Sequence, residues 1–302
     1  MSLLVIGTVA FDAIETPFGK TDKIIGGAAS YISLAASYFT PKINIVAVVG
    51  EDFPKSYIEL LENHGVNTEG LQIKQGEKSF FWAGKYHEDL NSRDTLITEL
   101  NVLADFDPII PKKYQDCKIL MLGNLTPSIQ RTVVERLERR PQLIVMDTMN
   151  FWMNVAWDEL MITLKLVDVL SINDAEARQL SGEYSLVKAA KKIMAMGPKY
   201  LIIKKGEHGA LLFGENQVFF APALPLEEVF DPTGAGDTFA GGFVGYLAKS
   251  EIINFGAMKR AVIYGSTLGS FCVEKFGTDG IINLSHQQIE ARARQFMELV
   301  TV

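Results

Sequence analysis

Six short apolar runs, "LLVI", "INIVAVV", "KILMLG", "LIVMD", "VDVLSIN" and "YLIIKK", constrain this 302-residue chain more than any other feature. They are apolar nearly throughout instead of alternating, the pattern of strands covered on both faces. Segments of helical period lie between them. In "GGAASYISLAASYF" the residues Ala28, Ile32, Ala35 and Phe39 fall on one face, and "PSIQRTVVERLERR" and "SLVKAAKKIMAMG" each have one apolar side. The last of these ends at Gly197 before Pro198, a usual helix stop. Strand and helix in repetition predict an α/β fold, a doubly wound and mainly parallel central sheet with helices on both faces.

One region breaks the rhythm. From about Leu71 to Asp107 the chain has β-prone runs and no convincing helix, which predicts a small antiparallel sheet inserted into the α/β body. No repeat, low-complexity tract or flexible linker interrupts the chain, so residues 1–302 are expected to form one domain with a β lid at about 71–107.

Composition narrows the function. Hydrophobic residues make up 48% and charged residues 22%, a globular balance. Lys and Arg total 29 against 36 Asp and Glu, and a net charge of -7 disfavours a nucleic-acid partner. Cys117 and Cys272, far apart, exclude a disulfide scaffold and fit a reducing cytoplasm. "MSLLVIGTVAFD" reads as a first strand and not a signal peptide, and no apolar run is long enough to span a bilayer. A cytoplasmic protein with no membrane partner is expected. His64, His87, His208 and His286 are dispersed, so no metal-ligand spacing is visible.

The chemistry concentrates in "FDPTGAGDTFAGGF", residues 230–243. The apolar stretch that follows predicts a helix beginning near Gly234 to Asp237. A helix start has unpaired N–H groups and a positive dipole end, which suit an anion. Gly234 and Gly236 let a phosphate approach the backbone, and Asp237 places a carboxylate at the same spot. A carboxylate weakens anion binding unless it takes a proton during the reaction. Phosphoryl transfer to a hydroxyl needs that arrangement, a base together with fixed N–H donors. An ordinary helix cap is the alternative for Asp237 alone; the flanking glycines and Asp231 favour the chemical reading.

"DPTGAGDTFAGGF" resembles the C-terminal signature of the ribokinase-like, PfkB-type carbohydrate kinases, and "GGAASYISLAA" resembles their N-terminal di-glycine motif. The order and separation match the family, so the resemblance covers essentially the whole chain and implies the ribokinase-like fold. It implies an ATP- and Mg²⁺-dependent kinase acting on an alcohol group. Asp237 becomes the general base, and the N–H groups of Gly234, Ala235 and Gly236 the anion hole. Asp231 and Thr233 would hold a monovalent cation such as K⁺. Asn173 and Glu176, in "SINDAEARQL", have the N-x-x-E spacing used around Mg²⁺ and the nucleotide phosphates, Glu176 acting through water. The same pair also reads as a capping box, and both can hold. In "KKGEHGALLF" Gly206 and Gly209 would admit ATP, and Lys205 either reaches a phosphate or is solvated. The family's threonine–leucine pair is replaced by Lys204 and Lys205. Gly277 and Thr278 sit where the family closes over adenine and the cation.

On the acceptor side, Asp12 matches the aspartate that grips sugar hydroxyls, and Gly26 and Gly27 let a substrate lie against backbone. Tyr31 stands where many members have asparagine, which puts one hydroxyl contact in doubt. Asn124 and Asp147 end strands that face the same crevice. Lys85 and Arg93 in the lid could meet a phosphate, but no arginine cluster announces a sugar phosphate. Phe80, Phe81, Trp82, Tyr86, Phe151 and Trp152 would suit a base or a sugar face, or form the lid's own core. An uncharged sugar is the first reading of the acceptor and a nucleoside the second. The resemblance also implies a homodimer through the lid. A nicotinamide dehydrogenase is excluded by the missing G-x-G-x-x-G turn, and a P-loop enzyme by the missing G-x-x-x-x-G-K-[ST]. A non-catalytic ligand sensor on the same fold is the remaining rival.

Overall fold

Alternate residues of each apolar run are buried on opposite sides of one sheet, because successive side chains of a strand point to opposite faces. The structure, a computed structural model, describes residues 2–301. The chain enters through β1 (Leu3–Ile6), β2 (Ala10–Thr16), β3 (Gly19–Lys20) and β4 (Ile24–Gly26), then α1 (Ala28–Ser37). It continues as β5 (Ile43–Gly50), α2 (Lys55–Asn63), β6 (Val66–Lys74), β7 (Phe81–Tyr86) and β8 (Arg93–Glu99). The next units are β9 (Ile119–Leu122), α3 (Pro127–Arg136), β10 (Leu143–Asp147), α4 (Asn150–Val155), α5 (Trp157–Leu164) and β11 (Val169–Asn173). Then come α6 (Asp174–Ser181), α7 (Leu186–Ala195), β12 (Tyr200–Lys204), β13 (Ala210–Gly214) and β14 (Gln217–Ala221). The chain closes with α8 (Ala235–Lys249), α9 (Phe255–Cys272) and α10 (His286–Glu298).

The large sheet has the order β14-β13-β12-β11-β10-β9-β1-β5-β6. It is parallel from β12 to β6, with β13 and β14 added antiparallel at one edge. The six apolar runs are β1, β5, β9, β10, β11 and β12. Leu3 and Val5 join the core beneath α1, α2, α8, α9 and α10, whereas Leu4 and Ile6 join the core beneath α3 to α7. Strand order reverses at β1, which has β5 on one side and β9 on the other. In open sheets of this kind such a reversal opens a crevice at the carboxyl ends of the strands.

The small sheet differs from its expected bounds. Residues 71–74 complete β6 of the large sheet, and half of the small sheet comes from the N-terminus. Its order is β3-β2-β7-β8, with β4 also on β2, and β2 pairs β7 in parallel. The segment after β1 is a separate strand, β2, whose residues alternate between a buried and a more exposed side toward its end. Every residue of the outer strand β8 is exposed, Leu96 and Ile97 included. No helix among the described residues is long and apolar enough to cross a membrane.

Candidate active site

The expected helix start is α8, and Gly234 is its N-cap with φ 73°, a left-handed conformation that favours glycine. A side chain at Gly234 would also collide with the ring of Tyr31. Tyr31 is only 1% exposed, so it supports the turn from beneath and does not reach a substrate; its hydroxyl has no hydrogen-bond partner. Of the three amides expected to form an anion hole, those of Gly234 and Gly236 donate to no acceptor among the described residues. The Ala235 N–H donates to the Pro232 carbonyl at 3.2 Å, whereas the N–H of Asp237 is unpaired among the described residues.

Asp237 is half-buried in the first turn of α8. Burial, and then the negative charge of Asp147, raise its carboxyl well above the ordinary carboxylate range, with Lys204 and Arg93 opposing. Lys204 Nζ lies 3.0 Å from Asp147 Oδ2, the lysine side chain 17% and the aspartate 9% exposed. A Cβ at Gly236 would come 3.0 Å from the same ammonium, so the lysine head rests on the glycine turn. The cation reaching the cluster is thus Lys204, not Lys205. Lys205 lies past the end of β12, its Nζ 5.8 Å from the Phe220 ring centroid. Period two explains the difference: Ile202 faces the core beneath α8, and Lys204, two residues on, shares that face. Burial alone would lower Lys204, but Asp147, Glu176 and Asp237 hold its ammonium above the ordinary lysine range.

Asn173 and Glu176 form the capping box of α6. The Asn173 side chain accepts the Glu176 N–H at 2.7 Å, and Glu176 Oε2 accepts the Asn173 N–H at 2.8 Å. Burial, then the charge of Asp147, push Glu176 up to about 7. Among the described residues no three His, Cys, Asp or Glu side chains are grouped to enclose a metal ion. The second oxygen of Glu176, near the Asp147 and Asp237 carboxylates, instead fits Mg²⁺ held through water. When bound, Mg²⁺ would offset the charge of the nucleotide phosphates.

Asp12 stands on β2, 6% exposed, and the missing side chain of Gly26 makes room for its carboxylate. Burial pushes Asp12 up to about 7 against the hydrogen bond it accepts from the Gly27 backbone, and the charges of Asp231 and Asp237 add to the rise. Gly27, at φ 90°, is the N-cap of α1 and packs on the backbone of Thr8 and Ala10. The expected cation residues hold the turn itself. Asp231 accepts the N–H groups of Thr233 at 2.8 Å and Gly277 at 3.0 Å. Gly277 therefore sits on the Asp231 side of the site, beside Ile24, and Thr278 is buried next to it. The missing side chain of Gly209 makes way for the backbone of residues 221–223. Asn124 is committed elsewhere: its amide oxygen accepts the Trp152 indole N–H at 2.8 Å and its amide nitrogen meets Met149 Sδ at 3.1 Å.

The small sheet reaches both ends of this cluster. Thr233 Oγ1 donates to the buried Tyr86 hydroxyl at 3.2 Å, tying β7 to the turn before α8. Asn91, in the β7–β8 turn, lies against exposed Gly206, where a side chain would meet its Oδ1 at 2.6 Å. Arg93 stays accessible to solvent, yet its guanidinium is held 5.4 Å from the Trp82 ring and 3.4 Å from the Tyr86 hydroxyl. Its charge is felt at Asp12, Glu176 and Asp237. The sequence singles out Arg93 only as a partner for a substrate phosphate. Its central place depends on the β7–β8 register, which puts it opposite Tyr86.

The family model described as "pfkB family carbohydrate kinase" matches residues 2–283. A cytidine kinase of Thermococcus kodakarensis is 33% identical over 255 residues, 83% of this chain and 90% of that protein. The nucleoside kinase of Methanocaldococcus jannaschii superposes with a TM-score of 0.78 at 18% identity, over 98% of this chain and 99% of that one. A putative ribokinase II of E. coli, in complex with ATP and Mg²⁺, gives 0.80 at 20% identity, over 97% and 99%. This chain belongs to the pfkB family of carbohydrate kinases, phosphotransferases that take an alcohol group as acceptor.

Proposed function

We propose that this kinase transfers the terminal phosphoryl group of ATP to a ribose hydroxyl of a nucleoside, with Asp237 as general base. The observation that carries the reading is Asp237 itself. A carboxylate with raised proton affinity shares a helix start with three unpaired amides, those of Gly234, Gly236 and Asp237 itself, and with the Lys204 ammonium. Such a group accepts a proton from an alcohol near neutral pH, while the fixed donors meet charge building on the phosphoryl oxygens.

The nucleoside reading has two supports. The cytidine kinase is a relative over most of both chains. On the small sheet, Trp82 pairs in register with Asp12, and its indole lies against Gly84, where any side chain would collide with it. Its indole N–H donates to Thr95 at 3.3 Å. An aromatic face next to the carboxylate expected to grip ribose is what a base bound to that ribose needs. Asp12 and the backbone at Gly26 and Gly27 would hold the sugar. Asp231 and Thr233 stand where a monovalent cation would bind, and the exposed edge of β8 is where a second copy would pair.

The test is an acceptor panel of ribonucleosides, ribose and hexoses, with ATP and Mg²⁺ and with K⁺ either present or replaced. Fastest turnover with a nucleoside is the expected outcome. A preference for free ribose would return the acceptor to a simple sugar. Tight ligand binding without phosphate transfer would make the chain a sensor.

A further inference from the structure

The cluster at the carboxyl end of β12 contains a cation that neither the capping box nor the base accounts for. Lys204 is nearly buried, touches Asp147 at 3.0 Å and lies against the glycine turn at Gly236. We propose that Lys204 is a catalytic residue, its ammonium turning from Asp147 to the migrating phosphoryl group and carrying part of the negative charge that builds there. This rests on the phosphoryl-transfer reading above.

Three features set Lys204 apart from a lysine that only neutralises a buried aspartate. First, its charge is not used by one partner alone: Asp147 is its ion-pair partner at 3.0 Å, and the charges of Glu176 and Asp237 also act on it. Second, the absence of a side chain at Gly236 lets the ammonium lie against the first turn of α8, where the N–H groups of Gly236 and Asp237 are unpaired. Third, it shares the sheet face of α8, so a short swing of its flexible stem changes its partner without moving the backbone. In the step, the bond between the terminal phosphorus of ATP and its bridging oxygen breaks, and the electron pair leaves on ADP. The acceptor oxygen bonds to phosphorus and its proton passes to Asp237. Lys204 keeps its own proton throughout and acts by charge and hydrogen bonding.

Kinetics of the wild type, Lys204→Met, the double variant Lys204→Met/Asp147→Asn and Asp237→Asn test the proposal, using the panel's fastest acceptor. Lys204→Met is expected to lower kcat by roughly 10²–10³, the usual loss for one transition-state donor, with acceptor Kd changed by no more than about threefold. Removing one partner of a buried pair destabilises a fold, whereas removing both is often neutral. The double variant should therefore recover thermal stability but stay as slow as Lys204→Met. Recovery of kcat to within about tenfold of wild type in the double variant would show that the lysine only balances Asp147, and would overturn the proposal. So would a full-rate Lys204→Met enzyme. If either occurs while Asp237→Asn is inactive, the kinase reading stands and this inference alone fails; an active Asp237→Asn enzyme would remove the base on which both depend.

Discussion

Asp237 concentrates the chemistry of the chain in one side chain. It lies where a helix start favours an anion, yet Asp147 and burial make its own charge costly. A base in that position gains from taking the acceptor's proton. Asp237→Asn is expected to keep the fold and ATP binding while lowering kcat by roughly 10²–10⁴, read in a coupled assay of ADP release. A variant with most of its rate intact would move the base elsewhere. At this scale the sequence was legible wherever a residue type has only one use. Asp237 and its glycines stand out in the sequence because acid and glycine together make little sense in an ordinary cap. The packing of Tyr31 and the hydrogen bond of Asn124 to Trp152 were not legible, because a tyrosine or asparagine near a crevice serves packing as readily as binding, and only the neighbours decide. Lys204 and Lys205 were confused because adjacent lysines look alike until strand alternation assigns them faces.

At the scale of elements, the small sheet touches the body at two places beside the Asp237 cluster. Its strand β7 ties to Thr233 through Tyr86, and its turn meets Gly206 through Asn91. The first is one hydrogen bond to a buried tyrosine and the second a surface contact, few enough for the sheet to open. Replacing residues 88–91 by a two-residue turn should leave the body folded, as judged by circular dichroism. It should raise ATP hydrolysis without acceptor relative to transfer, because an open site admits water to the phosphoryl group. An unchanged ratio of hydrolysis to transfer would mean that the tip does not close the site. The boundaries of this sheet were the least legible part of the fold. A segment such as 10–16 carries a strand pattern, but whether it pairs with β1 or with residues 81–86 is a long-range decision. The parallel strands of the body needed no such decision, since continuous apolarity already requires cover on both faces.

For the whole molecule, the site is a store of unfavourable charge. Asp12 and Glu176 have proton affinities of about 7 when folded, far above those of an unfolded chain, and Asp237 is raised with them. Between roughly pH 4 and 7 the folded state thus binds more protons at these groups than the unfolded state. Their contribution to stability is greatest at the acidic end and is lost as pH rises through the folded values. His64, whose proton affinity burial lowers, acts in the opposite sense on the acid side. A variant isolates the carboxylate effect. With one pKa unit worth about 1.4 kcal/mol, Asp12→Asn should be more stable than wild type at pH 8 by an amount on the order of a few kcal/mol. Below about pH 4, where the unfolded carboxyl is protonated as well, the two should unfold at nearly the same temperature. Equal melting temperatures at both pH values would show that Asp12 is not held protonated by the fold.

The sequence by itself determined the layered α/β body, the helix start at residues 234–237 and the α6 capping box, because each follows from local period or from the bonding of a few neighbouring residues. Only the tertiary structure decided which strands share the small sheet, that Tyr31 packs beneath the turn, and that Lys204 and Arg93 converge on Asp237. Those facts depend on pairing between segments far apart in the chain, and residue order carries no direct record of the distance between two side chains that the sheet brings together.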